Sequence, residues 1–201
     1  MALSLRAYTL VCFLLLPSAS SQAGVLKKCW AALWEPKLTE IKPELNEQVR
    51  ARAKAKIAQI QSHLGCTLKV EKNRQLDEIT AFDSQNAEMG YIQYTVGTNT
   101  LKIRYIESHV VKKDVATLLL AKALEINPHV TRIQGYFTET NYEVYARALA
   151  RGAKPLAAAK LTPAYKIRKA LGFSKIAESS EFGPDEITLI TEWDDDDSSG
   201  Q

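Results

Sequence analysis

Between residues 77 and 136 the chain changes its hydrophobic period twice, and this limits the fold more than any other feature. "DEITAFDS", "MGYIQYTVG" and "TLKIRYIES" are successive runs rich in β-branched and aromatic residues. Ser84-Gln85-Asn86 and Gly97-Thr98-Asn99 separate them, and both are turn-type sequences. Connections this short join antiparallel strands, so the three runs form a meander. A helix then starts at Asp114 and runs to about Ile126, with Val115, Leu118, Leu119 and Ala123 on one face. The next apolar run, "VTRIQGYFTE", is reached through that helix. It returns as a crossover strand, parallel to its neighbour. The expected fold class is α/β, of the mixed α+β kind: a mostly antiparallel central sheet flanked by helices.

The flanking segments add helices and a closing hairpin. A long helix is expected from about Pro43 to Leu64, with Pro43 at its first position, Glu44 and Glu47 at the positive end of its dipole and Gly65 at its stop. Leu45, Val49, Ala53, Ile57, Ile60 and Leu64 form its buried stripe, while Arg50, Arg52, Lys54 and Lys56 lie mostly away from it. Those cations fit a solvated helix face first, with an anionic partner or a membrane surface as the alternative. "CTLKVEK" is a candidate short strand. "TNYEVYARALA" is helical and ends at Gly152, and the Ala-rich "AKPLAAAKL" continues the helical region. "TPAYKIRKALG" is a short helix with Thr162 as N-cap, Pro163 at its first position and Gly172 as its stop. "FSKIAES", "FGPD" and "EITLITEW" make a closing hairpin. Residues 194–201 read as an acidic, disordered tail without the spaced ligands and glycine turn of a calcium loop.

The N-terminus bears on compartment. "MALSLRAYTLVCFLLLPSASSQAG" has one cation, Arg6, then an apolar run from Ala7 to Leu16, then Pro17 and small residues. This is the layout of a secretory signal peptide, residues 1–23, with cleavage after Ala23. The run is short for a membrane span, and an uncleaved anchor is the alternative. Residues 24–193 then form a single domain. The expected location is secreted or periplasmic, and the absence of any Asn-x-Ser/Thr sequon fits a bacterial exported protein. Cys29 and Cys66 remain after cleavage and form a candidate disulfide, worth roughly 4 kcal/mol in the chain-entropy model. Two free, buried thiols are the alternative. With 26 basic and 23 acidic residues the charge is nearly balanced, so composition gives no support to a nucleic-acid partner. His63, His109 and His129 lack ligand spacing, so no metal is expected. No nucleophile elbow points to a serine or cysteine hydrolase.

The order of meander, helix, strand, helix and hairpin resembles the GNAT superfamily of N-acetyltransferases over about Ile79 to Trp193. The helical part, residues 24–78, matches only loosely. "EITAFDSQNAEMGYIQYTV" is similar to that family's second and third strands. "LKIRYIESHVVKKDVATLLLAKAL" is similar to its fourth strand, cofactor loop and third helix. "YKIRKALGFSKI", followed by "FGPDEITLITEW", is similar to its terminal helix, Leu-Gly-Phe landmark and final hairpin. The resemblance implies a GNAT-like acyl-CoA N-acyltransferase fold, with acetyl-CoA in a V between the fourth and fifth strands. It implies cofactor contacts at Ile106, Lys112, Lys113, Ala116 and Thr117, with the pyrophosphate at the start of the following helix. The family's glycine-rich loop pattern falls on Val111, Lys112, Lys113, Asp114, Val115 and Ala116, where only Ala116 fits. Asp114 stands at a glycine position, where its carboxylate would cap the helix and repel a pyrophosphate. Arg168 stands where the family often has a tyrosine acid, and Tyr165 lies one turn earlier. By location, Glu107 and Glu139 are the candidate bases and Tyr165 the candidate acid.

Three functions fit these residues. The first is an exported N-acyltransferase moving an acyl group from acyl-CoA to an amine or protein substrate through a variant loop. Acyl-CoA is intracellular, so this reading implies delivery into another cell. The second is a non-catalytic GNAT-like domain whose cleft binds a ligand or protein partner. The third is an interaction protein that sets the basic helix against an anionic surface.

Overall fold

A computed structural model describes residues 43–72, 76–110, 114–183 and 186–194. The expected signal peptide, Cys29, the loop residues Lys112 and Lys113, and the acidic residues beyond Asp194 lie outside the described residues. The described residues all lie within one unit of the chain, Lys42–Gln201.

Helix α1 spans Pro43–Leu64. Gly65 ends it in a left-handed conformation (φ 60°), and its N–H bonds the carbonyl of Gln61 at 3.1 Å. This is the terminus a glycine allows and most side chains resist. Four antiparallel strands follow: β1 (Thr67–Lys72), β2 (Asp77–Phe82), β3 (Glu88–Val96) and β4 (Thr100–Ser108). The meander therefore has four strands, because "TLKVEK" joins it as an edge. Asp83 builds the β2–β3 turn, its carboxylate accepting from the N–H groups of Gln85 (2.9 Å) and Ala87 (2.8 Å).

Helix α2 (Val115–Ile126) leads to β5 (Arg132–Tyr136), which pairs parallel with β4, as a crossover requires. Next come α3 (Glu139–Ala150), α4 (Pro155–Leu161) and α5 (Pro163–Ala170). Thr162 caps α5, its hydroxyl accepting from the Tyr165 N–H. The short strands β6 (Lys175–Ile176) and β7 (Glu181–Phe182) both pair with β8 (Ile187–Glu192). The sheet order is β1-β2-β3-β4-β5-β8-β6, with β7 also on β8. It is an open, mostly antiparallel sheet with flanking helices.

Alternation along the strands decides the layers. Ile79, Ala81, Ile92, Tyr94, Leu101 and Ile133 point into one core with Val49, Ala53 and Ile60 of α1 and Leu118, Leu119 and Leu120 of α2. A second cluster joins α3, α4 and α5 to β8 through Tyr145, Ala158, Ala159, Tyr165, Ile187 and Leu189. The cations of α1 are only partly free of local contacts. Arg50 pairs with Glu47 at 3.0 Å, Lys56 bonds Gln59 at 3.0 Å, and the Arg52 guanidinium lies 5.9 Å over the Trp193 ring. Cys66 is buried, and as a thiol its pKa is pushed up by desolvation.

Tyr94 is fully buried, and burial, followed by the nearby Asp77, pushes its phenol up to about 12 from 10.0. The folded state then holds this proton more tightly than the unfolded chain. That contribution to stability is complete below pH 10 and is lost as pH rises from 10 to about 12. Thermal melts of the wild type should therefore fall steeply across this window, and Tyr94→Phe should flatten the fall. Equal slopes in the two proteins would remove Tyr94 from the alkaline transition.

Candidate functional site

The site is a fork. β4 and β5 pair only from Thr100↔Arg132 to Ile103↔Gly135. β4 continues to Ser108, so residues 104–108 keep β3 on one side and, among the described residues, have no strand on the other. The register against β3 shifts between Gln93↔Tyr105 and Tyr94↔Ile103, leaving Arg104 as the extra residue of a β-bulge. Bulges re-aim side chains and end pairing, and this one sits where β5 departs.

The bulge sorts the residues of β4 between two faces. Ile103 and Ile106 face the helices, where they line a narrow slot with Leu120, Gly135, Ile167 and Arg168. The slot holds about 30 Å³, room for roughly one water. Lys102, Arg104 and Tyr105 line the opposite mouth with Thr95 and Tyr136, in a groove of about 430 Å³. Among the described residues, no acidic one lines either space.

Arg168 is the least expected member. It is only 3 % exposed, and its Nη1 donates to the carbonyls of Leu189 (2.7 Å) and Ile133 (3.2 Å). No carboxylate among the described residues pairs with it. Desolvation pushes its pKa down to about 9, so it still carries its charge at neutral pH. Gly135 makes room for it, because a Cβ there would lie 2.8 Å from Arg168 Nη2. In sequence, Arg168 is one cation among several in "YKIRKALG", and nothing marks it as the buried one.

The other candidates are dispersed. Ile106 lines the slot. Tyr165 does not line either space: it is buried in the second core, where its hydroxyl donates to the Ser174 carbonyl at 3.0 Å. Glu139 is exposed in the first turn of α3, the ordinary place for a carboxylate on a helix dipole. Glu107 is exposed on the open face, two positions beyond Tyr105 and therefore about 7 Å along the strand. Its neighbours there are His109, at 3.6 Å, and the Tyr91 phenol, whose pKa is raised by desolvation first and by Glu107 next. Ala116 is partly exposed in the first turn of α2, and Thr117 is buried beside it.

Asp114 corrects an expectation. Its side chain makes no capping hydrogen bond. Its backbone is left-handed, φ 51° and ψ 17°, while its carbonyl accepts the first helical bond from Leu118 at 2.9 Å. This is a conformation that glycine adopts most freely and aspartate tolerates. Asp114→Gly relieves the backbone but removes a favourable charge from the helix N-terminus, two effects of similar size. Stability should stay within about 0.5 kcal/mol of wild type while affinity for a phosphate-bearing ligand rises about tenfold. Paired urea melts and acetyl-CoA titrations check both halves.

No family model and no curated protein matches the sequence. Several solved N-acetyltransferases are similar at low identity. The aminoglycoside 6'-N-acetyltransferase from Enterococcus faecium is 14% identical with a TM-score of 0.38, over 76% of this chain and 93% of that one. The GNAT family N-acetyltransferase YhbS from Escherichia coli, in complex with CoA, is 11% identical with a TM-score of 0.31, over 79% of this chain and 81% of that one. The PaiA N-acetyltransferase from Thermoplasma acidophilum, in complex with coenzyme A, is 11% identical with a TM-score of 0.36, over 58% of this chain. This chain spans 60% of that protein's length. The fold assignment rests on the strand order and the β4–β5 fork, not on these superpositions.

Proposed function

We propose that the protein is an exported N-acyltransferase that takes its acyl group from acyl-CoA. One observation carries this: the unpaired edge of β4, residues 104–108, leads toward the N-terminus of α2. A free strand edge offers backbone groups to an extended, amide-containing chain, and a helix N-terminus offers unpaired N–H groups to phosphate. Acyl-CoA has both parts, and its thioester supplies the acyl group. The signal-like N-terminus supports export. Delivery into another cell would then supply the donor.

Much of the chemistry is positioning. A thioester and an amine held in contact react far faster than free partners. The amine nitrogen bonds the acyl carbon, the carbon–sulfur bond breaks and the sulfur leaves as a thiolate, which takes up a proton from solvent. Glu107 takes the amine's proton, directly or through water. Arg168 holds positive charge beneath the fork, where negative charge develops. Glu107→Gln should lower the transfer rate about 100-fold with little change in acetyl-CoA affinity. An unchanged rate would assign the base elsewhere.

Calorimetric titration of acetyl-CoA, followed by a free-thiol assay with added amines, tests the reading. Micromolar binding with amine-dependent thiol release supports it, and absence of binding sinks it. A second reading, a binding domain without transfer, is favoured by the narrow slot and by the lack of a carboxylate among the described residues lining the slot and the groove. It predicts binding with no thiol release.

A further inference from the structure

The open-face groove has a composition of its own. The bulge turns Arg104 and Tyr105 toward the same mouth as Lys102. Tyr136 faces them from β5. Tyr105 and Tyr136 are 58% and 56% exposed, so both rings are open to a ligand at this mouth. Neither Lys102 nor Arg104 has a carboxylate partner among the described residues. Thr95 adds a hydroxyl, and the volume of about 430 Å³ falls in the range of small-molecule sites.

Two unpaired cations, two exposed phenol rings and no acid specify a ligand. An arginine fork matches a carboxylate in two-bonded geometry. Two rings on either side of the mouth accept a flat, apolar body. A polyamine or aminoglycoside would meet like charge at Lys102 and Arg104, with no acid among the described residues that line the groove, which is discrimination by repulsion. Arg168, on the other face beneath Gly135, adds a third positive charge to the same fork. We infer that the groove selects acceptors carrying a carboxylate next to the reacting amine, of the size of an aromatic amino acid. This names the acceptor of the proposed transferase and so rests on that reading, yet the ligand preference can be measured without any transfer.

The test is calorimetry on the full chain with three probes: N-acetyltyrosine, N-acetyltyrosine amide and spermidine. The acid should bind about tenfold tighter than its amide, and spermidine should not bind. Lys102→Gln with Arg104→Gln should abolish the preference, and Arg104→Lys in an otherwise native chain should keep part of it. Circular dichroism confirms that these exposed substitutions leave the fold intact. Equal affinity for acid and amide, or an acid affinity unchanged in the double variant, overturns the inference. The acetyl-CoA titration separates the two claims. A carboxylate preference without acetyl-CoA binding removes the transferase and keeps the groove's specificity. Acetyl-CoA binding without the preference does the reverse.

Discussion

Phe173→Ala should lower the free energy of unfolding by about 4 kcal/mol. Phe173 is fully buried and meets Trp193 edge-to-face, with ring centroids 5.4 Å apart. That contact fastens the end of α5 to the end of β8. Gly172 adopts φ 93° directly before it, and a Cβ there would lie 2.7 Å from the Trp193 ring. The Asp194 N–H bonds the Gly172 carbonyl at 3.0 Å, and the Arg52 guanidinium lies over the indole ring. Removing the ring costs its transfer energy and leaves a cavity that these anchored neighbours are poorly placed to fill. Urea denaturation followed by tryptophan fluorescence reads the change directly. A loss below about 1 kcal/mol would mean that the junction collapses around the gap.

Arg168→Met should move stability and function in opposite directions. Burying an unpaired charge costs several kcal/mol. The two carbonyls that Arg168 binds belong to residues of the β5–β8 ladder, so they are not stranded when it goes. The desolvation penalty therefore outweighs the lost hydrogen bonds, and the variant should be more stable by about 1–2 kcal/mol. Acyl transfer should fall about 1,000-fold, as when a preorganised charge is taken from a reacting centre. A less stable variant with unchanged transfer would make Arg168 a clamp between helix and sheet, with no part in the site.

The fold was largely legible because its signals are local. Pro43 and Gly65 bracket α1, the change of period marks the strands, and the helix between β4 and β5 dictates their parallel pairing. The site was less legible because its determinants are relational. The bulge at Arg104 carries no glycine or proline to announce it, and it appears only in the register against β3. Arg168 looks like Lys166 and Lys169 beside it, both exposed, and its burial depends on the missing side chain of Gly135, far away in sequence. Tyr165 was placed by spacing along a helix, but the direction of its ring is set by packing against the second core. Asp114 was expected to cap with its side chain. The backbone's left-handed turn, the property the position demands, leaves the carboxylate without that bond.

Amide hydrogen exchange with and without acetyl-CoA tests the central claim, that the fork is a donor site built on the free edge of β4. The account predicts new protection confined to residues 104–108 and to the first turn of α2, with β1 and β2 unchanged. Protection elsewhere, or saturable binding that leaves the β4 edge exchanging at its free rate, would contradict it.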